Sequence, residues 1–459
     1  MKSPGRSQLV VRVLAIAAAA AAVSASAGTT PNAAAALPPG NTVAQWNKIA
    51  EDTVVSSGAF QSEGLIYMAY ASTAVYNAVV AIEGGYEPLD STITAPEGAS
   101  SDCAAVEAAY RTLRFYFSSV SALVANLDAY YAETLSPLNL NGCTADGGSG
   151  TAVGLAAANE GIYNRTTGPD PDGRMTPIGV TSSFPTLPPG AGVWRLTPPF
   201  ALPQVPWVGN TRRFILQSPD QFLPDPPPSL RSREWVDAFN EVKAYGSATS
   251  SVRSDAQTAI AKFWSANVIR QYNGAGRDIA AARGLGLRET ARLAAMVNVV
   301  GADALMSALY AKYVYLFWRP VTAIDPTAVI ADGFGPVPGY DDGNAATGEQ
   351  TGWRPLLTTP NHPEYPAAHG VITSAMAEAF STFLGTNQID LDLHGFDANG
   401  SAGNLSAVRH FDMPKDLRQE IVGARLWAGL HYRFSSIAGV VLGRQIAGFD
   451  LRHAFRSVD

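Results

Sequence analysis

The segment Leu65-Ile66-Tyr67-Met68-Ala69-Tyr70-Ala71-Ser72-Thr73-Ala74-Val75-Tyr76-Asn77-Ala78-Val79 sets the fold class. Leu65, Met68, Ala69, Ser72, Val75, Tyr76 and Val79 recur three and four residues apart, the period of one helical face, with Ser72 the one polar member. The same spacing returns in Val106, Ala109, Leu113, Phe117, Val120, Leu123 and Leu127. Working outward, helices are expected over residues 46–82, 104–135, 147–164, 232–245, 254–264, 279–315, 367–384, 414–430 and 437–455. Almost nothing alternates with period two over strand length, and internal repeats are absent. The expectation is an all-α protein, with one large helical domain over residues 42–459.

Composition agrees with a well-buried globule. Of 459 residues, 47% are apolar and only 15% charged, and the formal net charge is −7. An average soluble domain carries about 25% charged residues. A charge-rich disordered chain and a basic nucleic-acid binder are excluded. With only two cysteines there is no disulfide-rich scaffold and no four-thiolate zinc site.

Residues 1–27 read as a secretory signal peptide. Lys2, Arg6 and Arg12 precede an apolar run over 13–23, and Ala25-Ser26-Ala27 fits the small-residue cleavage pattern. The run is about half the roughly 20 residues a membrane span needs. Residues 28–41 are expected to be a disordered leader, no later stretch is expected to reach spanning length without a charge, and the protein is expected to be secreted. Outside the cytoplasm the lone pair Cys103 and Cys143 is expected to be bonded, the alternative being two buried thiols.

Prolines crowd residues 168–228, including Pro188-Pro189, Pro198-Pro199 and Pro226-Pro227-Pro228. So many missing N–H groups exclude a helix or a central strand. This is read as a long surface-wrapping loop, held down by Trp194, Phe200, Trp207 and Phe214. A second loop is expected over 325–363.

Three clusters carry chemistry. In the first, Lys312 and Arg319 stand seven apart in an aromatic, apolar setting, Lys312-Tyr313-Val314-Tyr315-Leu316-Phe317-Trp318-Arg319-Pro320. If the helix ran on, both would leave one face roughly 10.5 Å apart along the axis. Two cations there need an anion, either a ligand or Asp and Glu of neighbouring helices. In the second, Pro360-Asn361-His362-Pro363-Glu364-Tyr365-Pro366-Ala367-Ala368-His369-Gly370, Pro366 is read as the first residue of a helix. The amides that follow, Ala368 among them, then form an anion-binding helix start, with His369 in the first turn. The third is Arg425-Leu426-Trp427-Ala428-Gly429-Leu430-His431, where Arg425 and His431 meet only if the helix ends near Gly429.

Together the clusters resemble the superfamily of vanadium-dependent haloperoxidases and type 2 phosphatidic acid phosphatase-like acid phosphatases. That superfamily carries Lys-x6-Arg-Pro, then Pro-Ser-Gly-His, then Ser-Arg-x5-His-x3-Asp. Here these read Lys312…Arg319-Pro320, Pro366-Ala367-Ala368-His369 and Ala424-Arg425…His431, the last with Ser435 where Asp would stand. The motif-bearing core is about 280–459. Upstream text such as Tyr76-Asn77-Ala78 and Phe263-Trp264 also looks like bacterial secreted members.

The resemblance implies four-helix bundles around a buried oxyanion pocket. It implies vanadate as cofactor, with phosphate able to occupy the same place. Lys312, Arg319, Arg425 and the Ala368 amide would bind the oxyanion. His431 would be the axial vanadium ligand or the phosphatase nucleophile, and His369 the acid/base group. His362 lies seven before His369, where bromoperoxidases of the family carry a second histidine, so His362 and Trp318 are possible pocket residues. His394, His410 and His453 carry no such argument.

Two departures bear on activity. Ala367 lacks the family serine hydroxyl, a loss of roughly 1.5–3 kcal/mol toward a charged partner. Ser435 cannot stabilise an imidazolium as a carboxylate does, which favours metal ligation over nucleophilic phosphatase chemistry. Three readings follow: a haloperoxidase acting on halide, hydrogen peroxide and an organic acceptor; an acid phosphatase acting on a phosphomonoester; and a non-catalytic phosphate- or vanadate-binding protein. No nucleic-acid partner is expected.

Overall fold

The computed structural model describes residues 36–168, 187–188, 190–197, 202–325, 327, 341–397 and 405–458. The expected signal peptide and most of the expected leader lie outside them. Asn41, the last residue of the expected leader, caps the first helix, its side chain accepting from the Ala44 amide.

The molecule is helical. Three of the expected helices are each split by a short break, the one over 279–315 at 284–286 between the end of α8 (Val268–Arg283) and α9 (Leu287–Tyr315). Residues 46–82 form α1 (Thr42–Ser56) and α2 (Gln61–Glu83), separated at Gly58. Residues 104–135 form α3 (Ser101–Tyr116) and α4 (Ser121–Thr134). Then come α5 (Ser149–Thr166), α6 (Arg233–Tyr245), α7 (Asp255–Phe263), α8 (Val268–Arg283) and the long α9 (Leu287–Tyr315). Serine caps fix two of these starts: Ser232 accepts from the Trp235 amide, and Ser254 forms a capping box with Gln257. The short α10 (Pro320–Ile324) leads to α11 (Ala368–Leu384), α12 (Pro414–Trp427) and α13 (Arg433–His453).

One pairing escaped the helical reading. The strands β1 (Leu391–Gly395) and β2 (Ala407–Phe411) form an antiparallel hairpin with Leu391 opposite Phe411. Leu391, Leu393 and Phe411 are buried and Asp392, Val408 and His410 are exposed, so the alternation is present but too short to stand out.

Helices α1, α2, α3 and α5 pack as a first bundle, and α9, α11, α12 and α13 as a second. Helix α9 joins them, with α2 on one side and α11 and α13 on the other. By length and composition α2 and α9 could each cross a membrane, which the sequence reading did not anticipate; here 83% and 89% of those stretches are buried in the protein core. Helices α11 and α13 approach closely because Gly443 has no side chain: a Cβ there would lie 2.1 Å from the Val371 carbonyl. Cys103 and Cys143 form a disulfide that ties the start of α3 to the turn before α5.

The proline-rich segment is anchored rather than loose. Trp194 is 2% exposed, and its amide donates to the Leu316 carbonyl (2.7 Å) while the Trp318 amide donates to the Gly192 carbonyl (3.1 Å). Phe200 lies outside the described residues.

Candidate active site

The first consequence of that anchoring is the end of α9. The helix stops at Tyr315, and Leu316 takes a left-handed conformation (φ 46°), so residues 316–318 pair with the proline-rich segment. Lys312 and Arg319 therefore do not share a helix face, as the continuous-helix reading required. Lys312 sits in the last turn of α9, and Arg319 caps α10. They still converge, because the turn at 316–318 brings the chain back.

The second cluster starts later than expected. The Tyr365–Pro366 peptide is cis, Ala367 is the cap, and α11 begins at Ala368. Pro366 is not its first residue. The amides of Ala368 and His369 still lie in the open first turn, where helices bind anions. The third cluster folds as its spacing demanded. Helix α12 ends at Trp427 and Gly429 adopts φ 76°, a turn that L side chains disfavour. A Cβ at Gly429 would also meet the Gly246 carbonyl at 2.4 Å. His431 is thereby carried back beside Arg319.

The resulting site is dry and electropositive. Lys312 and Arg319 are 0% exposed and Arg425 is 2% exposed. Lys312 Nζ donates to the carbonyls of Pro363 (2.9 Å) and Glu364 (2.8 Å). Arg319 donates to the carbonyls of His362 (3.0 Å) and Leu430 (2.9 Å). Arg425 reaches the Trp264 carbonyl at 3.4 Å, and its buried Nε has no hydrogen-bond partner among the described residues. Burial pushes Arg319 down to about 10 and Arg425 to about 9, so both stay charged at neutral pH. Burial, with Arg319 alongside, holds the Lys312 amine well below its usual range.

One carboxylate answers these cations, and the sequence reading did not assign it. Glu364 is 0% exposed. Its Oε1 accepts from His431 Nδ1 at 2.7 Å and from the Tyr432 amide at 3.1 Å. Burial pushes Glu364 up to about 7 against the downward pull of Lys312 and Arg319. Ser435, where the family pattern has Asp, lies against this same carboxylate. The histidine-orienting carboxylate has thus moved from the third motif to the second. The argument from Ser435 that such a carboxylate was missing does not hold. Its signal in the sequence was an acid set among Pro363, Tyr365 and Pro366, in a stretch otherwise bound for the core.

Tautomers follow from the donors. Arg319 can only donate, and its Nη1 lies 3.1 Å from His431 Nε2, so that nitrogen carries a lone pair while Nδ1–H faces Glu364. His362 Nδ1 faces both Arg319 Nη2 (3.0 Å), which calls for a lone pair, and the Pro363 carbonyl (3.2 Å), which calls for a proton, so these contacts favour opposite tautomers. Burial and then the neighbouring cations hold His362, His369 and His431 well below the usual histidine range, so all three are neutral.

A cavity of about 400 Å3 opens beside this cluster, lined by His362, His369 and Ala368 among others. Trp318, the other suggested pocket residue, does not line it; it stacks on Trp235 at 5.7 Å between ring centroids. His394, His410 and His453 lie on the exterior, away from the site.

A tetrahedral oxyanion fits these residues. The cations exceed the one carboxylate, Arg425 Nε is unpaired, and a neutral His431 presents Nε2. Residues 292–459 match the family model described as the VCPO second helical-bundle domain. Vanadium chloroperoxidase of Curvularia inaequalis is 28% identical over 304 residues, covering 52% of this chain and 47% of that protein. The chain therefore spans about half the length of that curated relative. Two solved structures share the fold. One is a bacterial vanadium-dependent iodoperoxidase (TM-score 0.66, 21% identity, 92% of this chain and 99% of that chain). The other is a holo-type bacterial vanadium-dependent chloroperoxidase (TM-score 0.63, 16% identity, 88% and 93%). The chain thus shares the helical fold of these bacterial vanadium haloperoxidases over most of its length, and its C-terminal end matches the second helical-bundle domain of the VCPO family.

Proposed function

We propose that this protein is an exported vanadium-dependent haloperoxidase that oxidises halide with hydrogen peroxide. The observation that carries this is three cations, each at most 2% exposed, facing one carboxylate and a neutral histidine lone pair. Such an excess of buried positive charge is costly unless an anion joins it. Vanadate, when bound, would supply a Lewis-acidic centre that activates peroxide without changing its own oxidation state.

The chain's own residues do the rest. Lys312, Arg319 and Arg425 would hold the charge of the oxyanion, and the Ala368 amide would add a neutral donor. His431 would hold the vanadium through Nε2, the nitrogen that Arg319 Nη1 faces at 3.1 Å. Glu364 keeps the proton on Nδ1, as outer partners of metal-bound histidines do. His369, neutral at the cavity edge, moves the proton during peroxide binding.

Acid phosphatase activity is the second reading, and Glu364 favours it, since a carboxylate behind His431 would stabilise the imidazolium of a nucleophilic histidine. A non-catalytic oxyanion-binding protein is the third. One experiment separates them. Load the protein with vanadate and assay peroxide-dependent oxidation of iodide, bromide and chloride, then assay phosphomonoester hydrolysis without vanadate. Halide oxidation lost in His431→Ala supports the first reading, and oxidation that survives it removes that reading. Hydrolysis that falls in Arg425→Ala without any halide oxidation selects the second. Vanadate binding with neither activity selects the third.

A further inference from the structure

The first bundle buries a cation that the oxyanion site does not use. Arg165, in the last turn of α5, is 7% exposed. Its Nη1 donates to the Arg212 carbonyl (2.6 Å), and its guanidinium lies on the Phe214 ring, 3.8 Å from the centroid. It makes no ion pair among the described residues. The acid that shares its surroundings, Asp90, is taken by Arg212 at 3.0 Å. Asp90 and Arg212 cancel, so one positive charge is left over.

Arg165 lines a cavity of about 30 Å3 between α2, α3 and α5, together with Asp90, Phe214, Thr73 of α2 and Thr112 of α3. A threonine hydroxyl inside a helix can donate to the carbonyl four residues back. Thr53, Thr134 and Thr166 do so, at 2.8, 2.7 and 2.7 Å. Thr73 and Thr112 do not. Both hydroxyls are buried and have no hydrogen-bond partner among the described residues. Two free donors from neighbouring helices and a cation without a counter-charge therefore share one small space.

Water would satisfy the hydroxyls but not the guanidinium, which is always charged and costly to bury without an anion. Size narrows the choice. One water needs roughly 10–15 Å3 of such space, so the cavity takes about two water-sized bodies and no tetrahedral oxyanion. A metal cation is repelled by Arg165. We propose that this cavity binds one halide ion, chloride or bromide, between Arg165 and the hydroxyls of Thr73 and Thr112. The ion is structural. It ties α2, α3 and α5 to the segment at 212–214, which Arg165 already touches through Arg212 and Phe214. The site is independent of the peroxidase reading, since this halide is held and not oxidised.

Bromide is the probe, because it scatters anomalously. Crystals of the full chain soaked in sodium bromide should show an anomalous peak between Arg165, Thr73 and Thr112. Water without an anomalous peak overturns the proposal. In solution the melting temperature should rise saturably with sodium bromide, and not with sodium gluconate, whose anion is too large, at equal ionic strength. An equal rise in gluconate overturns it too. Thr112→Val keeps the shape and removes one hydroxyl. It should weaken the apparent bromide affinity by about tenfold or more, with vanadate affinity unchanged. Arg165→Met should abolish the response. If Arg165→Met fails to fold by circular dichroism, Thr112→Val decides alone. A bromide response equal in wild type and Thr112→Val places the ion elsewhere, the oxyanion site included, and overturns the proposal.

Discussion

Two buried charge clusters in this molecule have nearly the same ingredients and opposite outcomes. Where α1 meets α8, Glu51 is 2% exposed and faces Arg277 at 2.6 Å, Arg270 at 3.4 Å and Lys48 at 3.6 Å. In the second bundle Glu364 shares a site with Lys312, Arg319 and Arg425. The first cluster has a second carboxylate, Asp52, that meets Lys48 at 2.5 Å and Arg270 at 3.2 Å, and it has water. Arg277, Arg270 and Lys48 have side chains 18%, 32% and 31% exposed, so they bury their stems and keep their charges hydrated. The cations of the second cluster have no such outlet. Three cations shared between Glu51 and Asp52, with solvent in reach, are a structural tie. Three around one carboxylate, with no solvent in reach, are an anion site.

The largest effect expected from breaking this contrast is on binding. Arg425→Met should weaken vanadate by about 100-fold, the scale of a buried charge-assisted hydrogen bond pair. The oxyanion-free protein should melt at the same temperature or higher, because one uncompensated buried charge has gone. Arg270→Met should leave vanadate affinity alone. Calorimetry and thermal melts on both variants check this, and a destabilised Arg425→Met protein with normal vanadate affinity would reverse the assignment.

Glu364→Gln comes next. It keeps the shape but no longer enforces the Nδ1–H tautomer of His431. Vanadate affinity should fall roughly 10–100-fold, as for other outer partners of ligating histidines. Adding Ser435→Asp, which restores a carboxylate in the third motif, should recover part of that loss. A double variant no better than the single one would show that the carboxylate's position, and not only its charge, matters.

On the first cluster the expectation is reversed. Glu51→Gln should cost about 1–3 kcal/mol of stability by leaving Arg277 poorly paired, with vanadate binding unchanged. Chemical denaturation with a matched binding assay measures both.

The smallest effect lies at acid pH. Asp146 accepts from the amides of Ser100, Gly148 and Gly150, which pulls its carboxyl down to about 2. A group whose folded value is depressed contributes stability above its unfolded value, here 3.8, and loses it as pH falls through the folded value. The stability gap between wild type and Asp146→Asn should therefore be full above about pH 4 and close toward pH 2. A gap that stays constant over that window would contradict it.

Much of the site was legible because its motifs are local. Lys312, Arg319 and Arg425 were conspicuous as scarce cations in apolar text, and Gly429 announced the turn that returns His431 to the site. Glu364 was not legible in the same way. Its partner His431 lies 67 residues on, and no spacing within one helix links them. Trp318 misled for a related reason: its neighbour Arg319 enters the site, but the chain has left the helix and the indole turns to Trp235. The β1–β2 hairpin was missed because each strand is five residues long.

The sequence by itself determined the helical class, the three cationic positions and the two histidines of the motifs. Those follow from periodicity and short-range spacing, which survive without knowledge of the fold. Only the tertiary structure decided where α9 ends, which carboxylate holds His431, and that the starts of α2 and α8 supply Phe60, Leu65 and Val268 to a cavity beside the second bundle. The physical reason is one of range. A helix face is set by neighbours three and four residues away, whereas dryness, tautomer and cavity shape are set by whichever distant segments exclude water from the same few ångströms.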